Sequence, residues 1–589
     1  MGRWALPVAT LVLALSCADE QSSPTLEIAV VTSDPVAHSL DLAAAYVEAY
    51  FEQFPEEAYE AGYPDAPGDR LSDQSPAALV AWHSREDSLL RSLEAIDSTD
   101  LAGTEAAIPH AYALDRLRGS IARRVCRTEL WNVSPTWTGW PSLFPLILSQ
   151  QPVDTPEART AALARARDID RYVGTEIANL RQGVGLGFTA ARPDVDAVIA
   201  QVDGLLELPI QDSPFLEPIG RTDDAAFDDS LRGIVADEVV PAARRYREFL
   251  ASEYLAVARE EVGVKANPNG AACYEASVRF FTTLPLKAEE IHANGLREMD
   301  RIQAEMKEIA HRLFGNDDVK EALRRAGEPT FTFRSEDQIL AYTRAAVDRA
   351  RAAAPQWFGD VPEADVVVRP YPAFQKRTGG GFYTAGLPGQ AGMYLLGTYE
   401  PEKLSKAGLE ATTFHETYPG HHMQGGIVLE KGGVHPVLKY FFNSGMGEGW
   451  ALYSERLADE MGLYSGDIDR LGMLSNEALR AARLVVDPGM HTLGWTRERA
   501  VEYMRENTAE SESEIAYEID RYLAVPGQAT AYLTGSLEIQ RLRSEAQARL
   551  GDRFDVRAFH DRVLQNGTIS LPMLRGEIER WVREQEAEP

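Results

Sequence analysis

From about residue 38 to 350 the chain consists of long runs whose apolar positions recur at i, i+3, i+4 and i+7, the spacing that gives a helix one apolar face. The clearest are LDLAAAYVEAYFEQF, PEARTAALARARDIDRYVGTEIANLRQG and PLKAEEIHANGLREMDRIQAEMKEIAHRLF. Proline and glycine gather between such runs, as in YPDAPGD and KANPNGAA, and mark the connections. The texture changes near residue 363. EADVVVRPYPAF alternates and is β-branched, and GGGFYTAGLPGQAGMYLLGTY is rich in glycine and aromatics, so about 363–398 reads as a small β insert. Helical spacing returns at Glu402 and continues to the end. No fixed-period repeat is present, which disfavours a solenoid. The pattern predicts a mainly α protein. A helical N-terminal region covers 38–260, and a second region over 261–589 carries the insert and the chemistry.

The first segment, MGRWALPVATLVLALSCADE, follows a different rule. A basic Arg3 precedes an apolar stretch from Trp4 to Leu15, shorter than the roughly 20 residues that span a bilayer, and small Ser16 and Cys17 follow. Residues 1–17 therefore read as a signal peptide with a lipoprotein-type cysteine, and 18–37 as a polar tether. The expected location is outside the cytoplasm, in the periplasm or on the outer membrane, with the membrane reached only through a lipid on Cys17. The other two cysteines, Cys126 and Cys273, form one disulfide in an oxidising compartment or stand as two buried thiols.

Composition narrows the function classes. Lys and Arg total 59 against 90 Asp and Glu, a formal net charge of −31, and no basic stripe interrupts that surface. Such a field repels nucleic acid. With 44% hydrophobic and 25% charged residues, the chain is neither disordered nor polytopic.

Chemistry is concentrated in TTFHETYPGHHMQGG. Of 11 histidines, three lie within the eight positions from His415 to His422, with Glu416 between them. In a helical HExxH, two imidazoles one turn apart hold zinc, and the intervening glutamate serves the activated water. Here position i+4 is Pro419. On a straight helix, at about 100° per residue, His421 turns away from His415 and His422 lies about two turns off. Pro419-Gly420 is where the helix must break or bulge. A two-residue expansion returns His421 to the place of the second ligand, with His422 as the alternative. A second run, GMGEGWALYSERLADEMG, places Glu448 some 26–27 positions further on, suited to complete a His₂Glu site with one open position. Glu455, seven residues on, shares its face and is placed to orient a ligand. The expected cofactor is one Zn²⁺ per chain, held by His415, His421 and Glu448, with Glu416 as general base.

HETYPGHH, EGWALYSE, VVDPGMH and VPGQATAYLTG, in that order, resemble the bacterial family called domain of unknown function 885, over nearly the whole mature chain. More distantly the pattern is similar to helical gluzincin metallopeptidases of the angiotensin-converting-enzyme and oligopeptidase types. The resemblance implies a two-lobed helical fold with a central cleft and zinc peptidase activity on short peptides, and it carries over His415, Glu416 and Glu448.

Further candidates are weighed against plainer roles. His491 and Tyr532 are candidate donors to a developing oxyanion, or a capping histidine and a packed tyrosine. Tyr383 and Tyr394 are candidates to line the substrate cleft, or packed aromatics of a hairpin. Asp487 and Gln528 read as structural or substrate-positioning, and His292 as structural. The leading expectation is an exported zinc metallohydrolase acting on a peptide or small amide. The alternatives are a metal-dependent amidase or esterase and a non-catalytic lipoprotein binding module. A di-iron centre lacks the paired Glu-x-x-His motifs it requires.

Overall fold

The structure, a computed structural model, describes residues 34–371, 379–386 and 391–587, apart from the Glu60 side chain. The expected signal peptide, Cys17 and most of the tether lie outside these residues. The tether ends earlier than expected. Asp34 caps the first helix, Pro35–Gln53, by accepting from the Val36 N–H, with Pro35 at a position where no N–H is needed.

Helices dominate, as the 3.6-residue period requires, and the only sheet among the described residues is three-stranded with order β1-β3-β2. β1 (Val366–Pro370) runs parallel to β3 (Gly392–Leu396), with Val366 opposite Gly392. β2 (Gly381–Thr384) pairs antiparallel to β3, with Tyr383 opposite Tyr394. Alternation sorts the faces. Val366, Val368, Tyr394 and Leu396 are buried against helices, while Val367, Phe382 and Met393 are exposed.

Buried apolar residues form three clusters. One joins the N-terminal helices Pro35–Gln53, Pro76–Glu94 and Ala107–Arg123 to the sheet, the motif helices and the C-terminal helix. A second joins Ala288–Phe314 to Asp467–His491. A third is drawn from Val133 to Ala258, with Leu71 added to it. The cores therefore do not divide at residue 260, because residues 35–123 pack with the chemistry-bearing region. Cys126 and Cys273 are disulfide-bonded, with Cα atoms 4.6 Å apart, and the 147-residue separation encloses the third core apart from Leu71. No helix among the described residues is long and apolar enough to cross a membrane.

The close helix crossings are made by glycine. In the Ser444–Glu460 helix a Cβ at Gly449 would stand 2.6 Å from the Gly535 backbone, and one at Gly535 would stand 1.8 Å from the Gly445 carbonyl. The backbones of Ser444–Glu460 and Ala531–Leu550 therefore touch at a point where no side chain fits. That contact places Glu448 and Tyr532 on neighbouring helices at one level.

Candidate metal centre

The motif helix is interrupted where proline and glycine require it. Helix Leu409–Glu416 ends at Thr417, and helix His421–Glu430 begins after Gly420. Across the break the hydrogen bonds lengthen by two residues: Gly420 N–H reaches the Phe414 carbonyl at 3.0 Å, and Met423 N–H reaches that of Thr417 at 3.4 Å. The ordinary spacing resumes with Gln424 to Gly420. A Cβ at Gly420 would lie 1.9 Å from the His415 carbonyl oxygen, so only glycine fits the bulge. The Trp450 indole N–H donates to the Pro419 carbonyl at 2.9 Å and ties the bulge to the Ser444–Glu460 helix.

This expansion by two residues converts an i, i+6 pair into neighbours. His415 and His421 lie with ring centroids 5.0 Å apart, and each Nε2 is 3.5 Å from Glu448 Oε2. The three candidate ligand atoms all fall within 4.8 Å of one another. Tetrahedral zinc with bonds near 2.0–2.1 Å spaces its donors at roughly 3.3 Å, so the histidine–carboxylate distances fit the ion, and two imidazoles with one carboxylate suit its chemistry. Exposure rises from 6% at the His415 side chain to 16% at His421 and 17% at Glu448, so the cluster opens on the side of those two. Burial disfavours a charged His415, but the Glu448 and Glu455 carboxylates outweigh it and push the imidazole up to about 9. Glu448 is held below the usual carboxylate range by His415 and His421 despite its burial.

Glu455 Oε1 accepts from His415 Nδ1–H at 2.8 Å, which fixes the tautomer that leaves Nε2 free for a metal. Glu416 is half-buried, and its Oε2 accepts the backbone N–H of Tyr383 at 3.0 Å, so the β2 strand holds the carboxylate directly. Burial pushes its carboxyl above the ordinary glutamate range, opposed by the two imidazoles. Tyr532 is half-buried, feels the Glu448 carboxylate, and carries the Arg483 guanidinium 4.6 Å over its ring.

Several expected residues have other surroundings. His422 does not join the cluster. Its Nδ1 accepts from the Tyr383 hydroxyl at 2.9 Å and its Nε2–H donates to the Ala364 carbonyl at 3.1 Å, while burial lowers its pKa to about 4. A Cβ at Gly392 would stand 2.6 Å from the Tyr383 oxygen, so that glycine makes room for the pair. The expected cleft-lining tyrosines are corrected accordingly. The Tyr383 phenol is committed to His422, and Tyr394 is fully buried, with its ring 2.5 Å from where a Cβ of Gly381 would be. His491 is fully buried. It accepts the Val264 N–H at 3.1 Å and donates to the Tyr522 carbonyl at 2.9 Å, so both nitrogens are used in the core and neither is left for an oxyanion. Asp487 accepts from the Tyr274 hydroxyl and Gly527 N–H, and Gln528 accepts from Arg521, as structural groups do. His292 donates to the Val485 carbonyl at 2.9 Å.

Sequence reasoning missed the Tyr383 backbone contact, which needs the β2 register, and the glycine crossing. Its signal was present as Gly445 and Gly449 four residues apart with Gly535 beyond. It also missed Phe442, which is 49% exposed, lies against Gly447 and has its ring 6.3 Å from that of His421.

Comparison with known proteins places this arrangement in a family. A candidate lipoprotein from Colwellia psychrerythraea is 26% identical and superposes with a TM-score of 0.86, over 93% of this chain and 100% of that one. A second candidate lipoprotein, of unknown function, from Shewanella oneidensis is 18% identical with a TM-score of 0.71, over 91% of this chain and 99% of that one. The latter likeness is one of fold. No curated protein matches the chain. The family model of bacterial proteins of unknown function, DUF885, matches residues 55–578, and the chain belongs to that family.

Proposed function

We propose that this protein is an exported zinc-dependent hydrolase of peptide bonds, acting on short peptides and anchored by a lipid on Cys17. The single observation that carries the reading is the convergence of His415 Nε2, His421 Nε2 and Glu448 Oε2 beside a glutamate that no ligand role requires. Its likeness to gluzincins rests on the motifs, and the lipid anchor on the cysteine signature together with the two candidate lipoproteins.

The residues His415, His421 and Glu448 would hold the zinc, with Glu455 keeping His415 in the correct tautomer. A zinc ion there supplies Lewis acidity, which polarises a scissile carbonyl and makes water a nucleophile near neutral pH. Glu416 takes the proton that the attacking water gives up and returns it to the leaving amine nitrogen, so that hydroxide adds to the carbonyl carbon and the C–N bond breaks. With Oε2 held by the Tyr383 N–H, Oε1 is the oxygen left for that transfer. Burial, which pushes the Glu416 carboxyl upward, makes it a readier proton acceptor than an ordinary glutamate, as a general base requires. The Tyr532 hydroxyl, which feels the Glu448 carboxylate, would donate to the developing oxyanion.

The test pairs metal analysis with kinetics. Wild type is expected to carry one zinc per chain and to hydrolyse short peptides, and Glu416→Gln to keep the zinc and lose at least about a hundredfold in rate. A folded, zinc-loaded Glu416→Gln variant as fast as wild type would sink the proposal.

A further inference from the structure

The helix Ser444–Glu460 buries a second carboxylate besides Glu448. Glu455 is 1% exposed, and its Oε1 is bonded to His415 Nδ1 while its Oε2 is buried with no hydrogen-bond partner. A buried carboxylate is costly unless a compensating charge stands beside it. The His415 ring does not supply that charge once Nε2 is given to a metal, because a ligating imidazole is neutral.

The helix Asp467–His491 carries three arginines, and they differ in what they meet. Arg470 is paired with Asp459 at 2.8 Å, and Arg483 with Glu518 at 2.8 Å. Arg480 has Glu455 instead. Its Nη2 is 3.9 Å from Oε1, and among the described residues Glu455 is ion-paired with no other arginine or lysine. That separation is too long for a hydrogen bond, so the guanidinium acts through its charge, which counts for more in a site largely shut off from water.

Arg480 is itself held. Its side chain is 14% exposed, its Nη1 donates to the Asn476 carbonyl at 3.2 Å one turn earlier, and its guanidinium carbon lies 6.0 Å from the centre of the Tyr532 ring. A cation, a carboxylate and an imidazole therefore follow one another from the helix Asp467–His491 to the candidate ligand atom His415 Nε2, which is 3.5 Å from Glu448 Oε2.

We infer that Arg480 is a positioning residue of the metal centre: its guanidinium holds the Glu455 carboxylate in place, and Glu455 in turn holds the His415 ring with Nε2 turned to the metal. The inference rests on the zinc half of the proposed function and not on the choice of substrate. Partners that orient a metal-bound histidine change metal affinity by about ten- to a hundredfold when they are removed. Arg480 stands one contact further out than Glu455, so the lower end of that range is the effect it should have.

The test measures zinc affinity by competition with a chromogenic chelator, and the visible absorption of the cobalt-substituted protein, which reports the geometry of the ligands, on the full chain. Arg480→Gln is expected to bind zinc about tenfold more weakly and to shift the cobalt spectrum, and Arg480→Lys, which keeps the charge, to recover part of both. Arg470→Gln is the control. It breaks an ion pair between the same two helices, to Asp459 rather than Glu455, and should leave zinc affinity and spectrum unchanged. Equal weakening in Arg470→Gln overturns the inference, since loosened helix packing would then account for it. Zinc bound no better by Arg480→Lys than by Arg480→Gln overturns it too. Should Arg480→Gln not fold, Arg480→Lys decides: affinity and spectrum identical to wild type refute the inference, and a weakening absent from Arg470→Gln upholds it. A wild type that takes up neither zinc nor cobalt overturns the zinc reading and this inference with it. A wild type that binds zinc, beside an Arg480→Gln variant that binds it as tightly, overturns the inference alone.

Discussion

Substituting Gly535 with alanine tests the claim that a glycine contact between two helices sets the metal centre. The added Cβ would lie 1.8 Å from the Gly445 carbonyl oxygen and 2.8 Å from the Gly449 Cα, both backbone atoms that no rotamer change can move. An ordinary contact is 3.4 Å or more, so the helices must part by about 1.6 Å at this point. Overpacking of this kind costs about 1–3 kcal/mol. It also shifts Glu448, next to Gly449, by more than the roughly 0.2 Å that a zinc site tolerates in its bond lengths. Gly535→Ala is therefore expected to lower the melting temperature by a few degrees and to lower zinc affinity at least about tenfold. Gly576, in the Leu571–Ala587 helix, is the control, because a Cβ there meets nothing within 4 Å. Gly576→Ala is expected to be neutral or to gain up to about 1 kcal/mol from helix propensity. Calorimetric melting with zinc titration reads both variants. A Gly535→Ala protein as stable as wild type, with undiminished zinc affinity, would refute the argument.

Three further expectations follow from the same contacts. Replacing both Cys126 and Cys273 with serine removes a link across 147 residues, which by chain entropy is worth about 5 kcal/mol, and should lower the melting temperature more than any single surface change; equal melting curves would show that the link contributes nothing. Burial pushes Asp487 up to about 7, opposed by its bonds from Tyr274 and Gly527. Because the folded value lies above the unfolded one, near 3.9, the stability this group contributes is full in acid and lost as pH rises through 7. Asp487→Asn should therefore flatten the fall in melting temperature between about pH 4 and 7, and an unchanged slope would count against it. His422→Gln should retain zinc, whereas His421→Ala should lose it, as elemental analysis of the purified variants would show; loss in both would return His422 to the ligand set.

The helical class, the β insert and the position of the chemistry are written in local sequence. Apolar spacing, β-branching and Pro419-Gly420 act through neighbouring residues, so their consequences can be worked out before any fold is known. His415, Glu416 and Glu448 stood out for the same reason, as residue types at close spacing. The two-residue expansion that brings His421 rather than His422 to His415 was one of two readings, and only the hydrogen bonds from Gly420 to Phe414 and Met423 to Thr417 choose between them. The rest depended on partners far along the chain. Glu416 is held by a strand 33 residues earlier, His491 is taken up by Val264 and Tyr522, and Tyr394 is covered by the packing of the sheet. Sequence spacing determined which side chains could do chemistry, because that depends on residue type and local geometry. Tertiary packing decided which of them are free to do it, because hydrogen-bond partners and buried charge are set by residues that meet only in the folded chain.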